Sequence, residues 1–459
     1  MNTRSTFAFA LATLLAASCT VEAPLGGDLR ASYEVVVDTP AELRNEVDLL
    51  FVVDNSANMA SRQRELSRSL KLVFSKLAFG RGLPDLHIGV VTTDMGIGEF
   101  ATADSQCSEN GQGGQLRLAA ADCGIEDNFL VVKADSSGTL SSNMVGGEGT
   151  DKLRSQLSCM VERGESGCEY EQPLEAMRTA LLYQDGQAKK FVRRNAVLAV
   201  VIMTDEDDCS AFDHTLFDPE NPHFRGDAPN FRCFQSGVIC NGDDVYQPGR
   251  RDGCKPWDDS PYISRVDEYS NFLANLKPDP RDRIVTAIIG DSREVGVQLG
   301  KRADAELVPT CEDNSGAAIY PGIRLSSFVN SFGERGLETS LCQAGEGEYL
   351  SNMVRKIRSS LGTTCLEGPI KDVDLETPDR QVDCFVYRQI DDQRESRTYL
   401  SACDKPGDLA NSSILPCYAI QTGGEACDTR TQLTLQVYGN TAPLAKGMHT
   451  VAECQVDSY

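Results

Sequence analysis

The sequence predicts an α/β fold in which a doubly wound, mostly parallel sheet is flanked by helices. Apolar runs at 47–54, 86–94, 196–205 and 284–291 are too uniformly apolar for strands with one wet face, so we interpret them as buried central strands. Each run ends in an aspartate. Segments with helical spacing of apolar residues separate the strands, which is typical of a parallel sheet.

The helices are predicted from the helical spacing of apolar residues. Residues 59–78 place apolar side chains on one face, so we expect an amphipathic helix that covers the sheet. Ser260 and Pro261 fit the cap and first position of another helix. Further helices are expected at 151–163, 171–183 and 346–361.

The amino terminus is predicted to be a targeting segment, residues 1–19. Arg4 precedes an apolar stretch from Phe7 to Ala17, which is too short to span a bilayer. Small residues then precede Cys19, which resembles a bacterial lipoprotein signal whose cysteine carries the lipid. Thr20 is not acidic, which favours the outer membrane of the cell envelope. A plain secretory signal is the alternative.

The remaining chain divides by composition. Residues 20–44 are predicted to be a tether, and residues 45–362 the α/β domain, interrupted by a cysteine-rich insertion at 206–259. Short alternating runs at 363–459 indicate a small disulfide-rich β domain.

Seventeen cysteines support export. Without Cys19 an even number remains, enough for eight disulfides, and we expect Cys107 to pair locally with Cys123. The chain has no C-x-x-C pair and only four histidines, which argues against a zinc site.

The net charge of -24, from 44 basic and 68 acidic residues, argues against nucleic acid and against electrostatic docking on anionic lipid. The lipid anchor would be the only membrane contact.

Oxygen-bearing side chains follow the first strand at Asp54, Ser56 and Asn58. If the strands ending at Asp54 and Asp205 are neighbours, both carboxylates lie at one edge of the sheet, where open α/β sheets bind ligands. Such oxygen donors suit Mg²⁺ or Ca²⁺.

These residues resemble the von Willebrand factor A (VWA) domains, whose metal-ion-dependent adhesion site has a D-x-S-x-S signature. Here it is Asp54-Asn55-Ser56-Ala57-Asn58, with Thr204-Asp205 at the second strand end. The family's threonine corresponds to Glu171. The resemblance covers 45–361 and implies one metal held by Asp54, Ser56, Asn58, Glu171 and Asp205.

Three carboxylates would neutralise a divalent ion, so we expect weak capture of an acidic ligand or a mainly structural ion. The favoured hypothesis is a lipid-anchored binding or adhesion protein that recognises a protein or other cell-surface ligand. An envelope scaffold with a structural metal is the alternative, and a metal-dependent hydrolase is less favoured because no His, Lys or Tyr accompanies the acids. We therefore expect that the protein is not an enzyme.

Acids outside the signature have other expected roles. Glu206, Asp207 and Asp208 suit a solvated loop better than a second cation site. Asp94 and Asp291 end strands and are expected to cap the turns that follow.

Overall fold

The computed structural model describes residues 32–37 and 45–456, apart from 79–82, 103–105, 136–138, 148, 183–190, 225–227, 243–244, 301–304, 314, 343–347, 362, 367–369, 375, 377–381, 391–392, 405–411, 423–432 and 439–447. The predicted targeting segment at 1–19, including Cys19, lies outside this part of the chain. Within it, no helix combines the length and apolar character needed to cross a bilayer.

The helices are α1 (Ala60–Leu77), α2 (Leu116–Asp122), α3 (Thr150–Val161), α4 (Pro173–Leu182), α5 (Pro229–Gly237), α6 (Val266–Leu276), α7 (Ile323–Asn330) and α8 (Glu348–Ser360). Short 3₁₀ helices occur at Gly98–Phe100, His214–Phe217, Pro280–Asp282 and Gly333–Arg335.

The strands are β1 (Ser32–Val37), β2 (Glu46–Val53), β3 (Asp85–Thr92), β4 (Leu130–Ala134), β5 (Leu140–Ser142), β6 (Val197–Met203), β7 (Val238–Ile239), β8 (Gly249–Arg251), β9 (Lys255–Pro256), β10 (Arg283–Ile289), β11 (Val295–Leu299), β12 (Ala305–Leu307), β13 (Cys311–Glu312), β14 (Ala318–Ile319), β15 (Gly336–Ser340), β16 (Thr363–Leu366), β17 (Cys384–Ile390), β18 (Gln393–Tyr399), β19 (Ser401–Ala402), β20 (Cys417–Thr422), β21 (Leu433–Tyr438) and β22 (Met448–Gln455).

A seven-stranded mixed sheet forms the centre of the fold, in the order β15-β10-β6-β2-β3-β4-β5. The strands from β15 to β3 pair in parallel, whereas β4 and β5 add an antiparallel edge. The predicted neighbours β2 and β6 pair directly, with Val53 opposite Met203. The carboxyl ends of these two strands therefore meet at one edge of the sheet.

Helices cover both faces of this sheet. Alternate residues of β2, such as Leu49 and Phe51, are buried on one face together with apolar residues of α1, α3 and α8. Leu50 and Val52 point to the other face, which α4, α6 and α7 cover. Burial on both faces explains why these strands are apolar throughout, and the arrangement agrees with the expected α/β class.

Two further four-stranded sheets are present, in the orders β1-β22-β17-β18 and β16-β21-β20-β19. They enclose a separate apolar cluster that includes Val386, Leu435 and Cys454. Part of the expected tether at 20–44 is not a tether, because Ser32 to Val37 pair antiparallel with β22 along six positions. The sequence Ser-Tyr-Glu-Val-Val-Val has high strand propensity, which the tether interpretation overlooked.

Every cysteine in the described part of the chain is in a disulfide. The expected pairing of Cys107 with Cys123 is wrong: the bonds are Cys107–Cys168 and Cys123–Cys159. Helix α2 leads into Cys123 and carries it toward α3, so sequence proximity was a poor guide. The other described bonds are Cys209–Cys233, Cys240–Cys254, Cys311–Cys342, Cys384–Cys454 and Cys403–Cys417.

The helix expected from Pro261 begins later, at Val266. The Ser260 hydroxyl still accepts the backbone N–H of Ile263, at 3.0 Å, but it holds a turn rather than a helix start. Ile263 instead forms a β-bridge with Ala211, which anchors the cysteine-rich insertion to the main domain.

Candidate functional site

The site lies at the carboxyl edge of β2 and β6. The Asp54 amide donates to the Met203 carbonyl at 2.9 Å, and this bond continues the β2–β6 ladder to the last residue before the polar segment. Asp205 follows β6 two residues after Met203. The structure thus brings Asp54 and Asp205 to the same edge, as expected.

Asp54 is fully buried, and its carboxylate accepts hydrogen bonds at both oxygens. Oδ1 accepts the Ser56 amide at 2.7 Å, and Oδ2 accepts the Thr204 hydroxyl at 2.8 Å. Gln63 on α1 donates to the Asp54 carbonyl at 2.7 Å. Burial nevertheless raises the pKa of Asp54, because loss of water outweighs these hydrogen bonds.

Glu171 stands just before α4 and is also buried. Its carbonyl accepts the Cys209 amide at 2.7 Å, which fixes the segment beside the start of the insertion. Its Oε1 atom is buried without a hydrogen-bond partner. Burial, and then the neighbouring charges of Glu206 and Asp54, hold the pKa of Glu171 well above its usual range.

Glu206 belongs to this group although we expected it in a solvated loop. Its pKa is raised well above the usual value by burial and then by the charge of Asp205, and its side chain is hydrogen-bonded to Glu171. It remains partly accessible to solvent. We use the name acid cluster for Asp54, Glu171, Asp205 and Glu206.

Asp205 is the member of the acid cluster with a cationic partner. Arg62 Nη1 donates to Asp205 Oδ2 in a short ion pair, and the Asp205 carbonyl accepts the Tyr320 amide at 2.8 Å. Burial and the charge of Asp54 raise the pKa of Asp205 to about 8 even though Arg62 opposes the shift.

Sequence reasoning missed Arg62. It lies on α1, where only 4% of the side chain is exposed. Its spacing from Met59 and Leu66 puts it on the buried stripe of the helix. A cation on an otherwise apolar stripe was the signal that could have identified it.

Two of the expected signature residues behave differently. Ser56 is buried beside Asp54, but Asn58 is exposed and has φ 72°, a left-handed conformation that asparagine tolerates. Asn55 is buried instead, and its Oδ1 has no hydrogen-bond partner. The structure therefore brings together Asp54, Ser56, Glu171 and Asp205, whereas Asn58 is not part of the buried group.

Asp207 and Asp208 accept hydrogen bonds from the first residues of two helices and do not form the solvated loop that we expected. Asp207 accepts the backbone amides of Arg324 and Leu325 at 2.9 and 3.1 Å, which caps the start of α7. Asp208 accepts the Leu174 amide at 3.1 Å and pairs with Arg324 at 3.0 Å, with both side chains fully buried. Burial raises the pKa of Asp207 to about 6. These two acids place α4 and α7 around the site.

The strand-end acids Asp94 and Asp291 cap turns, as expected. Asp94 accepts the Gly96 amide and Asp291 the Arg293 amide, each at 3.0 Å.

The chemistry of the acid cluster suits a hard cation. The acid cluster contains four carboxyl groups with raised pKa values, and the buried Oε1 of Glu171 is an oxygen ligand without a hydrogen-bond partner. Asp54, Ser56, Glu171 and Asp205 would hold such an ion, with Glu206 beside them. Among the described residues, however, no three acidic, His or Cys side chains already converge on one point in the way a metal requires.

No family model matches the sequence, and no curated protein matches it. Among solved structures, a pilus adhesin, SpaC from Lactobacillus rhamnosus GG, is similar with 11% identity and a TM-score of 0.32, over 93% of this chain and 42% of that one. Proximal thread matrix protein 1 from the mussel byssus has 10% identity and a TM-score of 0.24, over 55% and 39% of the two chains.

The human COPII-coat protein Sec24c has 10% identity and a TM-score of 0.29, over 93% of this chain and 42% of that one. This chain thus spans less than half the length of each of these three structures. Scores this low assign neither a family nor a function.

Proposed function

We propose that this chain is a cell-envelope binding or adhesion protein whose VWA-like domain recognises a protein or other cell-surface ligand at a divalent metal site. The metal, Mg²⁺ or Ca²⁺, would be held by Asp54, Ser56, Glu171 and Asp205. Asn58 would join them only if its segment changes conformation.

The observation that carries the proposal is the buried acid cluster at the carboxyl edge of β2 and β6. Burial and the nearby acids disfavour ionisation of Glu171, Asp205 and Glu206, and Arg62 is paired with Asp205. A divalent ion would stabilise the ionised forms and use the unpartnered Oε1 of Glu171. The central sheet, with parallel strands in its core and helices on both faces, supports the VWA-like assignment, since open α/β sheets bind ligands at this edge.

Recognition is favoured over catalysis. Among the described residues, side chains that bond to the acid cluster include Arg62, Thr204 and Gln63. The mechanism of a hydrolase requires an acid/base group in reach of the metal. The guanidinium of Arg62 has N–H donors and no acceptor, so it does not serve as a base.

Calorimetric titration of the chelator-treated protein with Mg²⁺ and Ca²⁺ tests the proposal. We expect one bound ion in the wild type, weaker binding in Glu171→Gln, and unchanged binding in Asp291→Asn, which alters a strand-end acid outside the acid cluster. Retention of the protein on envelope fractions should then be lost with EDTA. Metal binding without chelator-sensitive retention would favour the structural-metal scaffold, and absence of metal binding would refute the proposed site.

We also propose that Cys19 carries a lipid that anchors the mature chain to the outer membrane. Cell fractionation of Cys19→Ala tests this assignment, with release from the membrane pellet expected. Unchanged membrane association would refute it.

A further inference from the structure

Arg62 connects two parts of the molecule that are far apart in sequence. Its Nη1 pairs with Asp205 in the acid cluster, and its Nη2 lies 3.2 Å from Asp313 Oδ2. Nη2 also lies 3.4 Å from the Ala317 carbonyl. Asp313 and Ala317 belong to the hairpin of β13 and β14, so one buried guanidinium holds this hairpin against the acid cluster.

The hairpin is itself well defined around Asp313. Oδ1 of Asp313 accepts the amides of Ser315 and Ala317 at 2.9 and 3.0 Å, which leaves Oδ2 toward Arg62. The Cys311–Cys342 disulfide ties the start of the hairpin to the segment after β15. These contacts tie the residues of the hairpin to one another beside Arg62.

A cation and Arg62 compete for the same oxygen. Asp205 Oδ2 already accepts a charge-assisted hydrogen bond from Arg62, and two cations beside one carboxylate in a buried site repel each other strongly. We infer that Arg62 is an internal counter-cation that a divalent ion must displace from Asp205, and that this displacement releases the β13–β14 hairpin. The inference rests on the proposed metal site and adds the regulation of that site.

The coupling is reciprocal by thermodynamic necessity. An ion that displaces Arg62 loosens the hairpin, and a partner that draws the hairpin away weakens the hold of Arg62 on Asp205 and strengthens ion binding. The hairpin then becomes the element through which a bound partner changes the affinity for the ion.

Calorimetry with Mg²⁺ and Ca²⁺ on Arg62→Met measures the competition. A charge-assisted hydrogen bond lost on ion binding predicts about tenfold or greater tightening of the ion in this variant. Arg64→Met is the matched control, since Arg64 is an exposed arginine on the same helix and its removal changes the net charge equally. Its ion affinity should remain within about twofold of the wild type.

Hydrogen exchange of the unaltered protein tests the release of the hairpin and does not depend on the folding of a variant. Backbone amides at 311–319 should exchange faster when the ion saturates the site. Asp313→Asn, which keeps an oxygen for the Ser315 and Ala317 amides, should speed this exchange without the ion.

The outcomes separate the inference from the proposed function. Equal ion affinity in wild type and Arg62→Met, with unchanged exchange at 311–319, overturns the inference and leaves the metal site standing. Ion binding by Arg62→Met but not by wild type overturns the inference that an ion displaces Arg62, and it also refutes the proposed metal site in the natural protein. Absence of ion binding in both proteins overturns both proposals.

Discussion

Raising the pH should destabilise the chelator-treated protein, and Asp205 contributes to this loss. Its pKa is raised from 3.8 to about 8 in the folded protein, so folded Asp205 keeps its proton where unfolded Asp205 has lost it. Unfolding therefore releases a proton between these two values, and stability falls as pH rises through that window. Glu171 and Glu206 have pKa values shifted in the same direction, so they strengthen the trend.

The range from pH 6.5 to 8 isolates this effect. The pKa of His87 is lowered by burial, which gives the opposite trend, but that histidine is mostly neutral in both states above pH 6.5. The full slope is about 1.4 kcal/mol per pH unit and falls to half as the folded group reaches its pKa of about 8, so Asp205 alone should reduce the free energy of unfolding by about 1.6 kcal/mol over this range.

Urea unfolding followed by circular dichroism, at constant ionic strength and with chelator, measures the effect. Asp205→Asn should lose the part of the dependence that Asp205 contributes and keep the part that comes from Glu171 and Glu206. Asp291→Asn should retain the full dependence, because the pKa of Asp291 is lowered by its hydrogen bond with Arg293 and this acid is ionised in both the folded and the unfolded protein here. Saturating cation at about 100 times its dissociation constant should restore roughly 2.7 kcal/mol. A wild-type stability that is constant or rises from pH 6.5 to 8 refutes the reasoning.

Two further predictions concern the framework around the site. Arg324→Met should lower the free energy of unfolding in urea by about 3–5 kcal/mol, because it leaves Asp208 buried without its charged partner. Arg293→Met should lower it by less than about 1 kcal/mol, because the arginine of that ion pair is 84% exposed. Equal losses would contradict the assigned role of Arg324. Mass spectrometry of unreduced peptides should find Cys107 linked to Cys168 and Cys123 linked to Cys159; a Cys107–Cys123 peptide would show that the fold of this region is different.

Elements with a clear apolar pattern were predicted correctly from the sequence. The apolar runs predicted the parallel core strands, and α1 begins and ends within one residue of the expected 59–78. Strand β15 and helix α7 were missed because the segment 323–340 mixes polar and apolar residues without a clear period. Residues 32–37 were assigned to a tether because their pairing partner, β22, is more than 400 residues away in the sequence.

The site was predictable in position but not in detail. Strand-end aspartates showed that Asp54 and Asp205 would meet, since carboxyl ends of adjacent parallel strands share an edge. The roles of Asp207 and Asp208 depend on where Arg324 lies in space, and Arg324 is more than 100 residues further along the chain. The exposure of Asn58 depends on a left-handed backbone that the signature alone does not reveal.

The pairing of β1 with β22 makes the α/β domain an insertion within the carboxyl-terminal sheet system. The chain enters that sheet at Ser32, leaves it to form the entire seven-stranded unit, and returns to it at β17 and β22. A recombinant fragment that starts at residue 45, although it keeps every strand of the seven-stranded sheet, would expose the hydrogen-bonding edge of β22 to other chains. Aggregation of such a fragment would therefore report a missing edge strand rather than a defect in the acid cluster.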